Sequence, residues 1–93
     1  MAATRNIQFE VTAPPTLRYW LAVDEQDIEL TNGKAVVQLQ QGTEHVLIWW
    51  MVGNPGDMVS IIGKDGAREV VNVKGSAVPD GATKGAGYRR FTP

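Results

Sequence analysis

In the eight residues HVLIWWMV at positions 45–52, every one of the seven after His45 is apolar. Successive side chains of a β-strand point to opposite faces, so a strand with one wet side alternates apolar and polar residues. Here both parities are apolar, and the run is far shorter than the roughly 20 residues that cross a bilayer as a helix. The segment is therefore an interior strand that needs something on each side. One side belongs to a core, and the other belongs to a second layer or to a partner.

The flanking sequence reads as further strands. Ile7, Phe9 and Val11 alternate with Gln8, Glu10 and Thr12 until Pro14-Pro15 ends the run. Leu17, Tyr19, Leu21 and Val23 then alternate with Arg18, Trp20 and Ala22, giving a second strand whose less apolar face still carries a tryptophan. The acidic stretch Asp24 to Asp27 reads as a turn. Asn32-Gly33 supplies the two positive φ angles of a type I′ hairpin, with Ile28, Leu30, Ala35, Val37 and Leu39 on its apolar face.

Pro55-Gly56 suits the two central positions of a type II turn, which reverses the chain after Val52 into 58–63. Asp65-Gly66 reads as another I′ hairpin, leading into 67–74. Together these imply a three-stranded antiparallel meander. From Gly75 the composition turns to glycine, proline and small residues, which bury little and lose much entropy on ordering. The expectation is one domain over 1–75 and a loose tail over 76–93, in which Tyr88 and Phe91 offer to pin a short last strand.

There is no helical period of useful length and no internal repeat. About seven short strands with frequent turn signals predict an all-β fold, an immunoglobulin-like antiparallel β-sandwich, with a small β-barrel as the alternative. The stretch QGTEHVLIW resembles a late strand of bacterial immunoglobulin-like modules over about a tenth of the chain.

If Val52 opposes Met58 and Lys64 opposes Ala67 across the two turns, the meander has two faces. Val46, Ile48, Trp50, Val52, Met58, Ile62, Val71 and Val73 form the expected core face. Leu47, Trp49, Met51, Val59, Ile61 and Val70 form the second, rimmed by His45, Arg68, Asn72 and Lys74. An aromatic and aliphatic centre inside a polar rim has the composition of an interaction surface. The expected binding surface is thus His45, Leu47, Trp49, Met51, Val59, Ile61, Arg68 and Asn72. Its expected occupant is a protein partner or a second copy, and the alternative is a small ligand or carbohydrate stacked on Trp49 or Trp20.

Other chemistries find little to work with. A net charge of -1 offers no general attraction to polyanions, so nucleic acid is not an expected partner despite Lys84, Arg89 and Arg90 near the end. With no cysteine and one histidine, a zinc site lacks ligands. Asp24, Glu25, Asp27 and Glu29 lack the regular spacing of a calcium loop and read as a solvated turn, and GATKG lacks phosphate-loop spacing. A hydrolase would need His45 to meet Ser60 or Ser76, and no nucleophile-elbow sequence is present, so His45 is expected to pair with Asp65 or Glu44. The expectation is a non-enzyme without a cofactor. The absence of a signal-like leader or a membrane-spanning run predicts a cytoplasmic protein.

Overall fold

The computed structural model describes residues 3–93, which form eight strands and no helix. They are β1 (Thr4–Thr12), β2 (Arg18–Val23), β3 (Gln26–Ile28), β4 (Lys34–Gln40), β5 (His45–Val52), β6 (Met58–Asp65), β7 (Arg68–Ala77) and β8 (Lys84–Phe91). All pairings are antiparallel. The first sheet runs β4-β1-β6-β7 and the second β3-β2-β5-β8, and the two pack face to face as an open β-sandwich. Neither sheet closes on itself, which removes the barrel alternative.

Turn chemistry places most of the reversals. Asn54 to Asp57 form a turn in which Asp57 N donates to Asn54 O at 3.0 Å, with Gly56 at φ 88° as a type II turn requires. Asn32 and Gly33 both have positive φ, and Thr31 and Lys34 exchange the two hydrogen bonds of a two-residue hairpin. That hairpin carries a single bridge, because β3 leaves to pair with β2 while β4 pairs with β1. The face of this segment is nevertheless as expected, with Leu39 buried and Ala35 and Val37 half-buried behind it.

The meander does not form. The Pro55-Gly56 turn carries the chain across the sandwich, so β5 pairs with β2 and β8 while β6 pairs with β1 and β7. Of the two sets expected on β5 and β6, Leu47, Trp49, Met51, Val59 and Ile61 face the core, the reverse of the expected assignment. The β6–β7 hairpin exists, but its turn is Gly66-Ala67 with Asp65 opposite Arg68, one residue later than expected. Two further irregularities, one skipping Val70 and one at Lys74-Gly75, shift the register along β7. An odd shift reverses parity, which brings Val71 and Val73 onto the core face of β6 with Val59 and Ile61.

The stretch 76–93 is not a loose tail. It supplies the end of β7, the buried Val78 and all of β8, which pairs along the full length of β5 from His45 opposite Phe91 to Val52 opposite Lys84. The core lies between the sheets. Ile7, Phe9, Val59 and Ile61 contribute from one side and Leu21, Leu47, Trp49 and Met51 from the other, with Phe91 packed edge-on against Phe9 at 6.2 Å.

Candidate functional site

The expected binding surface is interior. Leu47, Met51, Val59 and Ile61 are at most 1% exposed and Trp49 is 4% exposed, all within the core cluster. Trp49 can sit there because its surroundings satisfy both halves of an indole. Ser76 Oγ on the opposite sheet accepts its Nε1–H at 3.0 Å, and Gly87, directly across from it on β8, leaves room for the ring. A Cβ on Gly87 would lie 2.4 Å from Trp49 Cζ2, and one on Gly85 would lie 2.9 Å from the Met51 methyl. Alternating glycines on the inner face of β8 thus set which tryptophan points inward. Arg68 and Asn72 belong to the other sheet, Arg68 exposed beside Asp65 at 3.7 Å and Asn72 half-buried with its amide donating to Glu69.

His45 is 6% exposed and sits at the start of β5. Its partner is Asp24 in the β2–β3 turn, rather than Asp65 or Glu44: Nδ1 lies 2.5 Å from Asp24 Oδ2, and Nε2 lies 2.8 Å from the Gln40 carbonyl. Asp24 Oδ1 also accepts from Val46 N at 2.9 Å. Both ring nitrogens therefore face acceptors, an arrangement that only the imidazolium fully satisfies. Burial opposes that charge, but the Asp24 hydrogen bond, the Gln40 carbonyl and the Asp24 charge outweigh it and raise the histidine above its ordinary 6.5. Burial likewise opposes charge on Asp24, yet the bonds from His45 and Val46 hold it below 3.8. With both nitrogens engaged and Ser76 given to Trp49, His45 addresses no hydroxyl. Asp65 instead pairs with Arg5, whose guanidinium makes two bonds to it at 2.9 and 3.1 Å. Among the described residues no three metal-ligating side chains gather in one place.

The outward face of the second sheet is where apolar surface is displayed. Its rows follow from the register: Arg18, Val52 and Lys84; then Trp20, Trp50 and Ala86; then Asp27, Ile48 and Tyr88 around a buried Ala22; and finally Val46 and Arg90 beside the Asp24 turn. Trp20 is 50%, Trp50 42% and Tyr88 65% exposed, and shallow depressions flank the two indoles and the Val46–Ile48 edge. The outward face of the first sheet is different in kind. Gln8, Glu10, Lys64 and Gln38 dominate it, with Val36, Met58 and Ile62 as scattered apolar residues.

Sequence reasoning flagged Trp20 as outward but missed Trp50 and Tyr88. The available signal was the period-two pair Gly85 and Gly87, which leaves β8 without side chains on the face that meets Trp49 and Met51. Searches of protein-family models, curated proteins and solved structures find no match to this chain. No helix among the described residues is long and apolar enough to cross a membrane.

Proposed function

We propose that this protein is a non-catalytic interaction module that docks a protein partner through the outer face of its second sheet, centred on Trp20 and Trp50. The observation that carries this reading is the contrast between the two outer faces, one polar and one aromatic. Four strands at about 4.8 Å and seven residues at about 3.3 Å give the face a footprint of roughly 400 Å². That is about half of the roughly 800 Å² per partner of a standard interface, and the charged turns at both ends supply the remainder. Burying each large side chain contributes on the order of 1.5 to 3 kcal/mol, and tryptophan, tyrosine and arginine are the residues that most often dominate binding. An immunoglobulin-like arrangement is part of the same proposal, supported by the way β1 with β4 and β2 with β5 interlock across the two sheets.

Capture from the native source tests the reading, with wild type compared against a Trp20→Ser/Trp50→Ser variant of unchanged unfolding midpoint. At least one bound protein, self included, should be lost with the variant, and identical sets would overturn the proposal. A second reading, sugar rings stacked on the same two indoles, is favoured only by their adjacency across β2 and β5. It can use Trp20 but not Trp49, which is buried. Tryptophan emission titrated with a glycan panel should then shift, and a flat response removes it.

A further inference from the structure

We propose that the occupant of this face is a second copy of the chain, packed face to face about a two-fold axis that runs across the strands. The inference rests on the interaction reading above and adds the partner and its register. Two in-plane two-fold axes can bring such a face onto itself, and the charges choose between them. One end of the face carries Arg18 and Lys84. The other carries Glu25 and Glu44 with Arg90, whose Nε is 3.9 Å from Glu44, while the Asp24 carboxylate there is already paired with His45.

An axis along the strands lays like ends together, setting Arg18 against Lys84 of the other copy and Trp50 against itself. An axis across the strands lays each basic end on the acidic end of the other copy. Arg18 then meets Glu25 in the β2–β3 turn, and Lys84 meets the end that carries Glu44 beside Arg90.

The same operation matches shapes. Each strand lies over its own copy with rows exchanged, so Tyr88 covers the exposed Ala86, Trp50 packs beside Ile48, and Trp20 lies over the row in which Ala22 is already covered by its own neighbours. A large residue meets a small one where Tyr88 covers Ala86, and each contact occurs twice because the interface is isologous. The outcome is a four-layer assembly in which the apolar second parity of 45–52 gains its cover.

Sedimentation velocity of the full chain from about 1 to 500 µM is the first measurement, and a concentration-dependent dimer is expected. Ala86→Trp, at an exposed strand position, should weaken association at least ~10-fold, and Arg18→Glu should do so by a similar factor that shrinks in high salt. Adding Tyr88→Ala to Ala86→Trp exchanges knob and hole and should restore most of the lost affinity. A strict monomer across the range overturns the second copy, and if Trp20/Trp50-dependent capture persists the interaction reading stands without it. A dimer indifferent to Ala86→Trp and Arg18→Glu joins elsewhere and overturns the proposal. One weakened by Ala86→Trp but not rescued by Tyr88→Ala overturns the across-strand axis.

Discussion

At the scale of single residues, the adjacent tryptophans 49 and 50 are chemically alike and energetically opposite. Trp49→Ala removes a buried ring bonded to Ser76 and should lower stability by roughly 3 to 5 kcal/mol, whereas Trp50→Ala should change it by less than about 1 kcal/mol. Chemical denaturation of the two variants reads this directly. Gly87→Ala drives a methyl into the Trp49 ring and should lower stability by about 1 to 3 kcal/mol although no side chain is lost. Which indole points inward was not legible from 45–52 itself, since both parities are apolar and periodicity has nothing to choose between. The choice lies in Gly85, Gly87 and Ser76, between 27 and 38 residues further along the chain.

His45 gives a prediction with a defined sign. Its folded pKa is raised, so the stabilisation from its charged form is complete below its ordinary 6.5 and is lost as pH rises through the folded value. Asp24 is lowered, so its contribution is present above its ordinary 3.8 and is lost as pH falls through the folded value. The pair stabilises the fold between those limits. The urea midpoint should therefore fall as the pH is raised above about 6.5, and His45→Gln should remove most of that fall.

At the scale of elements, the strands and their turns were largely readable because Pro-Gly and Asn-Gly state their backbone conformations locally. Their partners were not. A type II turn serves equally as a hairpin and as a crossing between sheets, and here it is the crossing. Strand β7 shows the same limit: one register irregularity reverses its parity at Val70 and a second reverses it again at Lys74-Gly75, and such bulges leave a faint trace in sequence, here Gly75 at φ 73°. Gly75→Ala should lose about 1 to 2 kcal/mol, for an L residue resists that conformation and its Cβ would approach the Met58 sulfur at 3.3 Å. A thermal melt beside wild type measures it.

The whole molecule is dominated by pairings distant in sequence. Only the β2–β3 and β6–β7 contacts are local, while β1 must find β4 and β6, and β5 must find β2 and β8. Loop closure precedes the reward of such contacts, so refolding should proceed on the millisecond to second scale rather than in microseconds, as stopped-flow tryptophan emission will show. The sandwich class was legible because it follows from strand count and turn spacing. The distribution of apolar surface between core and outer face follows from topology, which those signals leave open.

Strand β8 brings glycines to the inner face where other strands bring valine or isoleucine, and Phe91 is its only buried anchor. It is held by its ladder to β5 more than by packing, and so is a natural first element to open. What it uncovers is the edge of HVLIWWMV, a proline-free, nearly uncharged segment of high strand propensity, the kind that templates fibrils when its backbone is left unpaired. Opening of β8 should therefore favour amyloid growth, and the lag before fibrils form should depend on that local opening more than on overall stability. Phe91→Ala should shorten that lag more than Val71→Ala at matched unfolding free energy, with a fibril-binding dye as the readout.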